Sequence, residues 1–106
     1  MTKHQFLSIT AWQNETFGHA TALSKIAHLA EELQELVTDL KTNNPGKPHE
    51  WADCFILLFG AAASDGMSYE DIINAIDEKM SINYKRNWGK IEENGVVHHI
   101  NQEVKP

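Results

Sequence analysis

Two pairs of carboxylates share one spacing in this sequence: Glu32 with Glu35, and Glu50 with Asp53. On a helix, side chains three residues apart lie on one face. Each pair therefore presents its acids together, and Glu31 widens the first group. At about 100° per residue, Glu31, Glu32 and Glu35 cover an arc of roughly 100°. Ile26, Leu29, Leu33, Leu36, Val37 and Leu40 fill most of the remaining circumference. Two such pairs on neighbouring helices repel one another unless a positive charge stands between them, and a hard divalent cation with oxygen ligands is the natural candidate. The alternative for Glu50 is a favourable place near a helix start, worth about 0.3–1 kcal/mol. That explains Asp53 less well, because Asp53 lies deeper in the apolar run Trp51–Ala63, where an unpaired charge is costly.

A second constellation follows. Lys79, Asn83 and Arg86, at steps of four and three, share a helix face and are followed by Trp88. Two cations and an amide suit phosphate oxygens, arginine as a planar fork and lysine as a point charge. A basic helix end that offsets the dipole is the alternative. Trp12 and Phe17 can stack on a planar ligand or serve as packing anchors. Lys25 and His28 precede the acids on the same side of their helix, with His28 read as a surface or hydrogen-bonded residue rather than a ligand. His4, His19, His49, His98 and His99 show no metal-ligand spacing.

Other chemistries are set aside. No glycine-rich phosphate loop of either common type is present. No Cys/His zinc pattern occurs, and no Glu has a His three residues on, as a di-iron bundle requires. The lone Cys54 excludes an intrachain disulfide, suits a reducing compartment and reads as a small buried apolar residue. A net charge of −6 without a basic stripe argues against duplex nucleic acid. No signal peptide is visible and the apolar run is too short to span a bilayer, so a soluble, cytoplasmic protein without membrane contact is expected.

The elements that must position these residues are helical. The 106 residues suffice for one small domain. A first helix is predicted from about Lys3 to Thr16, stopped by Gly18. A second runs from about Ala20 to Lys41, and Thr42–Pro48 is the clearest loop. Pro48 is placed just ahead of a third helix, at about His49 to Ser64. A fourth, capped by Ser68 with Asp71 in a box-like spacing, runs to about Trp88 and stops at Gly89. The expected fold is all-α, with residues 1–89 as the domain and 90–106 as a tail or docking arm. Because the run Trp51–Ala63 is apolar all round, the third helix is expected to be covered on most sides, which an oligomer would complete.

Taken together, Glu32-x-x-Glu35, fourteen intervening residues, and Glu50-x-x-Asp53 resemble the signature of the MazG-like all-α nucleoside triphosphate pyrophosphohydrolases. Glu31 and Lys79-x-x-x-Asn83-x-x-Arg86-x-Trp88 are similar to the same superfamily. Trp12 with Phe17-Gly18, and the segment from Asp53 to Met67, look like its dATP/dGTP pyrophosphohydrolase branch, often carried by phages. The resemblance covers Trp12 to Gly89. It implies a four-helix bundle completed as a homodimer or homotetramer, with Mg²⁺ or Mn²⁺ held by Glu32, Glu35, Glu50 and Asp53. It further implies cleavage of a purine nucleotide, dGTP or dATP, between the α- and β-phosphates. Glu31 becomes the candidate general base, with Glu35 as the alternative. Lys79, Asn83 and Arg86 become phosphate ligands, and Trp12 and Phe17 the base-binding wall. A non-catalytic helical dimer that binds nucleotide or protein, and a pyrimidine-specific dNTP pyrophosphatase, are the rival readings.

Overall fold

The computed structural model describes residues 1–18 and 20–100; His19 and the last six residues of the expected tail lie outside it. Helices α1 (Lys3–Phe17), α2 (Ala22–Thr42), α3 (Lys47–Ser64) and α4 (Tyr69–Lys85) follow one another, with β1 (Asn87–Trp88) and β2 (His99–Ile100) after them. The all-α, four-helix expectation holds. Among the described residues no helix is long and apolar enough to cross a membrane.

Local chemistry sets the ends. Thr2 caps α1 by accepting from the Gln5 amide at 3.1 Å. Gly18, at φ 59°, ends α1 by donating to the Asn14 carbonyl, a backbone that a side chain would strain. At the start of α2, Thr21 and Ser24 cap each other reciprocally, at 3.1 and 2.9 Å. Ser68 and Asp71 do the same for α4 at 2.9 and 3.1 Å, as their spacing predicts. Pro48 lies inside the first turn of α3 rather than ahead of it. That turn has no intrahelical use for the missing N–H.

The chain forms two compact units, dividing within α4 after Ile72. In the first, α3 is the common partner: α2 packs along it and α1 against it. Leu29 and Leu36 of α2 meet Cys54 and Leu57 of α3 in the buried core cluster. Phe6 anchors α1, its ring 5.9 Å from that of Tyr69. Tyr69 also donates to the Met1 carbonyl at 3.0 Å, and Lys3 meets Glu70 at 2.9 Å. Buried Lys25 donates to the Ser64 hydroxyl at 2.8 Å, at the C-terminal end of α3 where a cation is favoured.

The expected cover of α3 on most sides is not met within one chain. Trp51, Phe55 and Leu58 remain about half exposed, because two neighbouring helices cover only part of its circumference.

In the second unit α4 ends at Lys85, short of Trp88. Asn87 and Trp88 are extended and pair antiparallel with Ile100 and His99. The residues from Lys90 to His98 thus connect the two strands of a short hairpin. The Gly89 amide donates to the His98 carbonyl at 2.8 Å, and His98 meets Glu92 at 2.8 Å.

Candidate active site

The acids come from two helices that pack side by side. On α2, Glu32 and Glu35 share a face, and Asp39, four residues beyond Glu35, continues it. On α3, Glu50 stands in the first turn and Asp53 one turn further on. One carboxylate oxygen each from Glu32, Glu35 and Glu50 lies within 4.8 Å of the other two.

Crowding shows in their protonation. Glu32 is held above the usual carboxylate range by burial first, then by a shared hydrogen bond with Glu35 and by the charges of Glu35 and Asp53. Glu50 is likewise pushed up, by burial, then by Asp39 and the charges of Glu35 and Glu32. A cation among them would remove the repulsion. The residues fit one in kind: all donors are carboxylate oxygens, the ligands that hard divalent cations take.

Asp53 lies outside that triad but lines the cavity beside it. This cavity, of about 150 Å³, is walled by Trp12, Phe17, Ile56 and Leu57 and rimmed by Glu32, Asp53 and His28. The sequence-predicted aromatic pair and two of the predicted ligands thus share one recess. Trp12 meets Phe17 edge to face at 5.4 Å, and Phe17 meets His28 at 6.1 Å. His28 Nε2 is 3.4 Å from Glu32 and its ring is about half exposed, in line with its reading as a surface residue rather than a ligand. Glu31 is exposed on α2 and is not part of the triad.

Lys79, Asn83 and Arg86 belong to the second unit. Lys79 and Asn83 share a face of α4, whereas Arg86 follows the helix end, its amide donating to the Asn83 carbonyl at 3.2 Å. The same carbonyl accepts from Trp88 Nε1 at 3.2 Å. The Asn83 side-chain oxygen is buried without a partner among the described residues. Neither Lys79 nor Arg86 is ion-paired among the described residues.

Sequence reasoning missed Asp39. Its signal is the stripe itself, because Asp39 follows Glu32 by seven residues and Glu35 by four. It also missed Gln13, which is wholly buried against α3 and carries no charge or motif to mark it.

Comparisons with known proteins point to one family. A family profile described as dATP/dGTP pyrophosphohydrolase matches residues 6–105. A dATP/dGTP diphosphohydrolase of Salmonella phage PMBT28 is 35% identical over 92 residues, 87% of this chain and 29% of that protein. The Eaa protein of Salmonella phage P22 is 34% identical over 87% of this chain and 27% of its own length. The chain thus spans less than a third of the length of these two relatives. The dATP/dGTP diphosphohydrolase of cyanophage S-2L is 33% identical, with 87% of this chain and 81% of that protein covered. A solved structure of the cyanophage S-2L MazG-like pyrophosphohydrolase, bound to dGDP and three catalytic Mn²⁺ ions per active site, matches with a TM-score of 0.78. It is 30% identical and covers 95% of this chain and 99% of that one.

Proposed function

This chain belongs to the dATP/dGTP pyrophosphohydrolase family, and from that premise we propose that it hydrolyses a purine deoxynucleoside triphosphate, dGTP or dATP, between the α- and β-phosphates. One water is consumed, and monophosphate and pyrophosphate are released. The observation that carries the proposal is the convergence of Glu32, Glu35 and Glu50 beside a recess walled by Trp12 and Phe17.

Glu32, Glu35, Glu50 and Asp53 are the residues that would hold Mg²⁺ or Mn²⁺. A divalent ion so bound neutralises phosphate charge and lowers the pKa of a water. The chain itself does the positioning. Carboxylates on two packed helices fix the place of the phosphates relative to the aromatic wall, and most of the rate gain in phosphoryl transfer is of this kind. His28, 3.4 Å from Glu32, would steady that carboxylate from outside the triad when protonated. Glu31 is the proposed general base, exposed beside Glu32, and Glu35 is the alternative. Lys79, Asn83 and Arg86 are proposed to bind phosphate oxygens. Trp12 and Phe17 would stack on the purine, whose larger ring gains more from such a surface. The half-exposed Trp51, Phe55 and Leu58 support a homodimer or homotetramer as the working form.

The test is a panel of all common dNTPs and NTPs with Mg²⁺ and with Mn²⁺, detecting pyrophosphate and identifying the nucleotide product. Purine deoxynucleotides should give monophosphate and pyrophosphate in equal amounts. Hydrolysis of pyrimidine nucleotides alone would move the assignment to the pyrimidine-specific reading. Nucleotide binding without any turnover would support a non-catalytic binding protein.

A further inference from the structure

Gln13 is fully buried in a contact where an apolar residue would be expected. Its Nε2 donates to the Ile56 carbonyl at 2.8 Å, in the middle of α3. Its Oε1 is buried with no partner among the described residues. The carboxamide fits only because residue 60 is glycine: a methyl group there would fall on the Gln13 carboxamide. Gly60 lies one turn after Ile56, so the missing side chain exposes the carbonyl that Gln13 reaches.

The start of α1 is held by Phe6, Met1 and Lys3 against Tyr69 and Glu70, but little else fixes where its later turns lie along α3. Phe6 and Gln13 are the buried residues of α1. Beside them a groove of about 690 Å³ opens between the helices, with Ile9 and Trp12 on one side and Phe55 and Phe59 on the other. Apolar contact across an open groove sets no register, whereas a directed hydrogen bond into a one-residue slot does. Buried polar groups that specify register at a cost in stability are known from helix pairs elsewhere. Trp12, the neighbour of Gln13, lines both this groove and the recess at the acids. Phe17 is one turn beyond Gln13.

We propose that Gln13, seated in the Gly60 slot, is a positioning residue that sets the aromatic wall at the distance from Asp53 and Ile56 which favours purine over pyrimidine triphosphates. The proposal rests on the pyrophosphohydrolase reading above. Gln13 touches no substrate; it acts through Trp12 and Phe17.

Gln13→Leu tests it, since leucine fills similar space and leaves no orphaned oxygen, so the variant should fold at least as well as the parent. With dGTP the expected result is a KM raised about fivefold to tenfold, with kcat within about twofold, the size expected when a few binding contacts are misplaced. The dGTP-to-dCTP ratio of kcat/KM should fall by a similar factor, and Mn²⁺ affinity by calorimetry should not move. Gly60→Ala, which expels the carboxamide, should give the same kinetic pattern with a lower Tm. Gln13→Leu with parental KM and parental purine preference would overturn the proposal, leaving Gln13 a packing residue. A parent protein that is folded and binds Mn²⁺, yet hydrolyses no triphosphate, would instead overturn the catalytic reading on which the proposal depends.

Discussion

Asp39 on α2 bears on Glu50 across the α2–α3 seam: after burial, its negative charge is the chief influence raising the Glu50 carboxyl above its ordinary range. Beyond Asp53, a further acid therefore bears on the triad. Asp39→Asn should remove one like charge while keeping the shape. Without metal, Tm should rise. With Mn²⁺, affinity should fall about tenfold, as for losses in the outer shell of metal sites. Thermal melts with and without Mn²⁺ check both signs.

The raised pKa values of Glu32 and Glu50 fix the sign of a pH effect. A carboxyl that holds its proton more tightly folded than unfolded makes the folded state bind more protons between the two pKa values. Metal-free stability should then decline as pH rises from the unfolded carboxyl range, about 4.5, through the raised folded values. Saturating Mn²⁺ should abolish that decline and add about 2.7 kcal/mol at a hundredfold excess over Kd. Calorimetric melts across that pH range, with EDTA or Mn²⁺, provide the measurement.

Glu35→Ala and Asp53→Ala should each abolish turnover while helical content by circular dichroism stays close to parental. Near-normal activity in either variant would remove that residue from the metal site. Asp53 is the sharper case, because it lines the recess and stands outside the triad.

Arg86→Ala and Lys79→Ala should raise the KM for triphosphate and lower turnover, with Mn²⁺ affinity nearly unchanged. Arg86→Lys should recover only part, since an ammonium lacks the two-pronged contact of guanidinium. If the two cations only offset a helix end, kinetics would stay parental and stability would shift by about 0.3–1 kcal/mol.

Thr21→Ala should cost about 0.5–2 kcal/mol of stability by opening the reciprocal cap on α2. Kinetic constants measured well below Tm should not change, because the cap lies a full three turns from Glu32.

The helices were legible because their signals are local. Gly18, the break between α2 and α3, shorter than the expected Thr42–Pro48 loop, and the Ser68/Asp71 box each act within a few residues, so local signals reveal them. The acidic triad was legible for the same reason, since two i, i+3 pairs need only two helices side by side. What escaped depends on partners distant in sequence. Gln13 is explained only by Ile56 and Gly60, more than forty residues away, and nothing in its neighbourhood marks it. Asp39 became part of the site only when α3 brought Glu50 to it. The end of α4 was misread for a related reason: Asn87 and Trp88 are drawn into a hairpin with His99 and Ile100. Helical periodicity cannot register a competitor that lies further along the chain.

The unequal anchoring of the helices has a consequence for how the molecule opens. The α2–α3 pair is closed by Leu29, Leu36, Cys54 and Leu57, whereas α1 is tied down mainly by Phe6 and Gln13. Native-state hydrogen exchange should therefore resolve two tiers, with α1 amides exchanging through a local opening and α2–α3 amides only through global unfolding. The acids lie on the slow tier and the aromatic wall on the fast one. At mild denaturant a partly opened form would still capture cations after losing its grip on the base, so grasp of metal and choice of nucleotide would fail at different denaturant concentrations.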